Sequence, residues 1–302
     1  MSKTILITGA SGMIGKSLTR HLLQKGHRVC HLNRSGSQKN PVIRTFKWDV
    51  EKQFIDERCI EGIDCIIHLA GEGIATRPWT RKRKQQIISS RTESIRLIYK
   101  LLGKRSHHIT SVISASAMGY YGDRNNELLT EDSPPGKDFL GKTCVAWERA
   151  VDEGENLGLR LVKFRTGIVL TPEGGALPQL AKPVRLGFGA ALGSGRQWMP
   201  WIHLQDVLRM YTFAVENDSL EGVYNMAAPL PVTNNEFTKI LSSELKKPLW
   251  LPNVPAFVLR IILGEMSAAV LSSNKTSADK IQSGGFDFNF LTLREALKSI
   301  YG

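Results

Sequence analysis

The chain has 302 residues, 42% hydrophobic and 23% charged, an ordinary globular composition that excludes overall disorder and allows one large core or two smaller ones. Forty basic against twenty-eight acidic residues give a formal net charge of +12, which raises nucleic acid as a partner; the charge is scattered, however, except for Arg77, Arg81, Lys82, Arg83 and Lys84. No run approaches the roughly eighteen apolar residues of a membrane span, and no basic segment with a long apolar stretch precedes the first strand, so a cytoplasmic protein without a membrane partner is expected.

A short apolar strand is predicted at residues 4–8, and it runs into Gly9, Gly12 and Gly15, spaced three apart. Gly9 can take backbone angles closed to other residues, Gly12 has no side chain to hold off a pyrophosphate, and Gly15 lets the next helix pack close. The helix predicted at 12–25 then aims its first N–H groups at the phosphates, so Ser11, Met13 and Ile14 join the glycines as a dinucleotide cradle. After the second strand, 28–33, an NAD-selective fold normally places an acid; this chain has Asn33, Arg34 and Ser35. A guanidinium fork and a hydroxyl suit a 2′-phosphate, which makes NADP(H) the expected cofactor.

Strands follow near 44–48, 64–70, 110–116 and 160–165, with helices near 80–103 and 142–157. Alternation of this kind predicts an α/β fold, a doubly wound parallel sheet of Rossmann type covered on both faces. Asp49 ends the third strand, where a carboxylate meets either an adenine amino group or its own turn. Leu69, Ala70 and Gly71 bring backbone to the ligand edge after the fourth. The basic cluster that follows is a solvated face, an anion clamp led by Arg77, or a nucleic-acid contact; no basic stripe with interleaved aromatics supports the last. Cys30, Cys59, Cys65 and Cys144 lack C-x-x-C spacing, which argues against zinc and a disulfide framework and for reduced thiols. Arg165, at the end of a core strand, calls for a buried carboxylate or a phosphate.

From residue 171 to 200 the glycines and prolines predict loops and short elements. A strand at 223–227 returns to the sheet, and helical patterns start at Asn234 and cover 256–270 and 293–300. The organisation is therefore a nucleotide-binding domain, 1–165 with the returning strand, and a mainly helical substrate lobe, 166–205 and 229–302.

Together these pieces resemble the extended short-chain dehydrogenase/reductases, and more narrowly their atypical "epimerase family" subgroup. The motifs are Thr8 to Gly15, His68-Leu69-Ala70-Gly71, Ser114 to Ala117 ahead of Tyr121-Gly122, Arg77-Pro78-Trp79, Ser90-Arg91, Pro200 to His203, Leu263 to Met266 and Gly285 to Phe288. The resemblance implies a tyrosine four residues before a lysine on the helix after the serine-rich strand, the ammonium lowering the phenol's pKa. Counting back from Glu148, those positions hold Leu140 and Cys144. Ser116 and Tyr121 are the substitutes proposed for catalysis, and Arg77, Tyr120 and His203 for substrate contact; Ser116, Tyr120, Tyr121 and His203 also read as packing, and Arg77 and Lys142 as solvated. The expected activity is an NADP(H)-dependent oxidoreductase or epimerase acting on a small polar molecule, with nucleotide sugars among the candidates, in a monomer or homodimer without nucleic acid. The alternative is a non-catalytic NADP-binding sensor.

Overall fold

The computed structural model describes residues 2–37 and 40–302. Among these, eight strands form the main sheet: β1 (Thr4–Thr8), β2 (Arg28–Asn33), β3 (Arg44–Asp49), β4 (Phe54–Ile55), β5 (Cys65–His68), β6 (Ser111–Ala117), β7 (Arg160–Thr166) and β8 (Gly222–Met226). Their spatial order is β8-β7-β6-β5-β1-β2-β3-β4, and every neighbouring pair is parallel except β3 with β4. Strand order reverses beside β1, which opens a crevice at the carboxyl ends of β1 and β5.

The side-chain period of two divides each apolar strand between two cores. Ile5 and Ile7 face Leu18 and Leu22 of α1 (Met13–Gln24) and Met210 and Tyr211 of α5 (Leu204–Glu216). Leu6 points the other way, toward Ile95 and Ile98 of α2 (Arg81–Leu102). A fourth helix on the sheet, α3, spans Phe139–Asp152 and starts three residues before its predicted position. Asp138 sets that start, because its Oδ1 accepts the Gly141 N–H at 2.7 Å.

The Gly/Pro-rich stretch contains a nine-residue helix, α4 (Leu177–Arg185), that its composition did not predict. Pro178 sits in the first turn, where a missing N–H is harmless. Helix α5 is a second element that the sequence pattern did not predict. Strand β4 is a third: two residues are too short to carry a pattern.

A separate small core holds the lobe together: Leu177 and Ala181 of α4 meet Trp201, Phe237 and Leu241 of α6 (Asn234–Glu244), and Leu293 and Leu297 of the last helix, Leu293–Tyr301. Capping boxes at Thr233/Glu236 and Thr292/Glu295 start two of these helices. The pattern at 256–270 is broken after α7 (Ala256–Leu263), where Gly264 takes φ +56°. Buried Asp206 accepts the Asn289 and Phe290 N–H groups at 2.9 and 3.0 Å, so α5 fastens the lobe's tail to the sheet layer.

Candidate functional site

The turn between β1 and α1 is shaped by the absence of side chains. Gly9 has φ +68°, and a Cβ there would lie 2.7 Å from the Leu69 carbonyl oxygen. A Cβ on Gly15 would lie 2.4 Å from the Gly9 carbonyl oxygen, so no larger residue lets α1 pack this closely. Gly12 is the N-cap and offers no side-chain acceptor, which leaves the first-turn N–H groups of Met13 and Ile14 to an outside anion. Thr8 Oγ1 accepts both the Leu69 and Ala70 N–H groups at 3.1 Å, locking the end of β5 against this turn. Ser11 and Gly71 are exposed beside it. The structure thus brings the six turn residues and Leu69, Ala70 and Gly71 together.

At the end of β2, Asn33 Oδ1 accepts the Gly36 N–H at 2.7 Å and the Ser35 hydroxyl at 3.2 Å. The side chain folds the loop back and leaves Arg34 exposed, with no partner for its guanidinium among the described residues. Asp49, half-buried, accepts the Lys52 N–H at 3.1 Å, which is the turn-forming alternative.

Behind the β5 end, His68 is fully buried between the Ser114 and Ser94 hydroxyls at 3.0 and 2.8 Å. Burial first, and the Arg91 charge second, push its pKa down to about 3, so the imidazole is neutral. Arg91 spends its Nη1 on the Ile87 carbonyl and its Nη2 on that of Glu72, and its guanidinium carbon lies 5.0 Å from the centre of the Trp147 ring. Arg83, buried, donates to Glu72 Oε2 at 3.0 Å and to Gly73 O at 2.7 Å. The basic cluster therefore divides: Arg83 holds the 72–76 loop, Lys84 pairs with Glu265, and Arg77, Arg81 and Lys82 are exposed. The signal for Arg83 and Arg91 was their spacing of four around Ile87, which puts two charges on the apolar stripe of α2.

At the ends of β6 and β7 the side chains turn inward. Ser116 donates to Glu148 Oε1 at 2.6 Å, and Arg165 grips the same carboxylate through Nε and Nη2, both at 2.9 Å. Its Nη1 reaches the Tyr121 hydroxyl at 3.1 Å, and that hydroxyl donates to Asn225 Oδ1 at 2.6 Å. The guanidinium carbon lies 3.3 Å from the centre of the Tyr120 ring. Burial pushes the Tyr121 phenol up to about 12, outweighing the nearby Arg165 charge. In place of a proton donor open to a ligand, the structure makes Ser116 and Tyr121 members of a buried, fully bonded network. Arg165 has found its carboxylate.

The two relay positions are packing positions. Leu140 abuts Gly119, where an added Cβ would be 3.1 Å from that of Leu140. Cys144 directs its thiol to the Ala117 carbonyl at 3.6 Å, and burial pushes it up to about 12. His203 is likewise committed, away from the expected substrate contact: Nδ1 accepts the Gln205 N–H at 3.2 Å as the N-cap of α5, and the ring lies 3.9 Å from that of Phe290. Lys142 is exposed on α3.

A family model described as the NAD dependent epimerase/dehydratase family matches residues 5–227, and one described as a domain of unknown function matches residues 254–300. The chain is 36% identical over 297 residues to the epimerase family protein YfhF of Bacillus subtilis, covering 98% of this chain and 97% of that protein. The human epimerase family protein SDR39U1, solved with NADPH, matches with a TM-score of 0.85 and 29% identity over 99% of both chains. A nucleoside-diphosphate sugar epimerase from Corynebacterium glutamicum matches with a TM-score of 0.82 and 31% identity, covering all of this chain and 59% of that one.

Proposed function

Because the chain belongs to the NAD dependent epimerase/dehydratase family, we propose that it binds NADP(H) and is an oxidoreductase of small polar metabolites in the cytoplasm, working without a tyrosine–lysine relay. The observation that carries this reading is the pairing of a glycine turn whose backbone packing leaves no room for a Cβ at Gly9 and Gly15 with an exposed Arg34, without a partner among the described residues, where an acid would select NAD. The NADPH in the human relative supports the same choice. In this reading Gly9 to Gly15 receive the pyrophosphate, and Arg34 and Ser35 receive the 2′-phosphate. Asp49 lies by the adenosine end, and Leu69 to Gly71 line the path toward the nicotinamide. When bound, the nicotinamide supplies or accepts a hydride. The residues of the chain bind and orient; the proton comes from the substrate or from water, since Leu140 and Cys144 offer no acid and Tyr121 faces inward. Arg77 and the exposed part of the basic cluster favour an anionic substrate group over nucleic acid. Reduction is favoured over epimerisation, because a redox-neutral epimerase gains nothing from selecting NADP.

The filled relay positions also favour a second reading, a nucleotide sensor without turnover. Calorimetry of ligand-stripped protein with NADPH and NADH tests the shared premise, and absence of heat with both removes either reading. Consumption of NADPH with a panel of carbonyl substrates then separates them: turnover supports the enzyme, and tight binding without turnover supports the sensor.

A further inference from the structure

One side of the lobe carries large apolar side chains that nothing among the described residues covers. Leu186, Phe188, Trp250, Phe257, Ile261 and Ile262 are each at least 60% exposed. They belong to one surface. The Trp250 indole donates to the Gly187 carbonyl at 3.0 Å, and Val254 pairs through its backbone with Ala191 and Gly193, so the segment ahead of α7 runs beside the loop after α4. α7 begins two residues later and buries only Leu259.

The charge of the two segments that carry this surface is one-sided. Residues 174–205 and 245–264 contain no aspartate or glutamate, yet carry Lys182, Arg185, Arg196, Lys246, Lys247 and Arg260. Glu265, the first acid beyond α7, is held by Lys84. A second copy would set cations against cations. We infer that this face is a peripheral docking surface for an anionic lipid bilayer, with the aliphatic and aromatic side chains entering the headgroup layer and the lysines and arginines meeting lipid phosphates. Trp250 suits such a place because its N–H is already bonded and its ring is free. No helix among the described residues is long and apolar enough to cross a membrane, so the attachment lies on the surface. The Lys84–Glu265 pair joins the turn after α7 to the start of α2, at the ligand edge of the sheet. Docking therefore sets the cleft beside the bilayer.

The test is flotation of the full chain, without nucleotide, on vesicles of phosphatidylcholine with or without phosphatidylglycerol. Binding to the anionic vesicles is expected, weaker in high salt. Since each surface cation contributes about 1 kcal/mol, neutral vesicles and the Lys246→Glu/Lys247→Glu variant should each lower the partition at least about tenfold. Ile261→Asp with Ile262→Asp should lower it comparably while leaving the melting temperature unchanged, because both side chains are already in water. No flotation, equal flotation on neutral vesicles, or binding indifferent to both variants overturns the inference. So does a dimer in sedimentation velocity that the α7 variant dissolves without any vesicle binding, which makes the face a contact between copies.

Discussion

At the β1–α1 turn the ligand edge is made by leaving side chains out, whereas at the ends of β6 and β7 it is filled with them. The first region presents the exposed Ser11 and Gly12, a helix start without a side-chain cap, and the exposed Arg34, while Gly9 and Gly15 give the turn its close packing. The second directs Ser116, Tyr121, Glu148, Arg165 and Asn225 at one another. A site for binding needs unsatisfied donors at the surface, and a strut needs every donor satisfied, because an unpaired buried charge is costly. The difference teaches that polar residues at the carboxyl ends of parallel strands need not serve a ligand. Here they replace a catalytic relay with a brace that joins β6, β7, β8 and α3.

The comparison breaks most visibly at the brace. Arg165→Met strands the Glu148 carboxylate and should cost about 3–5 kcal/mol in denaturant unfolding, with NADPH affinity of the folded fraction retained; a stable variant that has lost NADPH affinity would move Arg165 into the cofactor site. Tyr121→Phe removes one donor from Asn225 and should cost about 1–3 kcal/mol. Calorimetry should then give the same NADPH heat and affinity as wild type, and a changed rate of NADPH consumption at unchanged affinity would restore Tyr121 to the chemistry. His68, between the two regions, sharpens the contrast through pH. Its folded pKa is about 3 against 6.5 unfolded, so below 6.5 the unfolded state binds the extra proton and stability falls with falling pH. The slope is at most about 1.4 kcal/mol per unit and should flatten in His68→Gln; an equal slope in both proteins assigns the pH dependence elsewhere. At the cradle, Arg34→Ala should weaken NADPH at least tenfold, about 1.4 kcal/mol, and leave NADH nearly unchanged. Equal losses for both nucleotides would take Arg34 away from the 2′-phosphate.

Apolar strands and glycine spacing are local properties, and they predicted β1, β2, β3, β5, β6, β7 and β8 and the start of α1 to within about two residues of where they lie. The shape of the glycine turn was legible for the same reason: steric freedom at Gly9 and close packing at Gly15 depend on neighbours a few positions away and on one strand. Arg83 and Arg91 left a trace in the stripe of α2, though only folding put Glu72 and Trp147 within their reach. The exposed apolar face left less, because periodicity in α7 marks a helix whether or not anything covers it.

Composition, period and turn chemistry in the sequence determined a doubly wound sheet with a glycine cradle, an arginine beyond the second strand, and no tyrosine–lysine pair. Only the tertiary structure decided which way Ser116, Tyr121 and His203 point, since their partners Glu148, Asn225 and Phe290 lie far along the chain. A short-range pattern states that a side chain is polar. Whether it is spent on the protein or left for a ligand is settled by the free energy of satisfying it inside, and that depends on what the fold sets beside it.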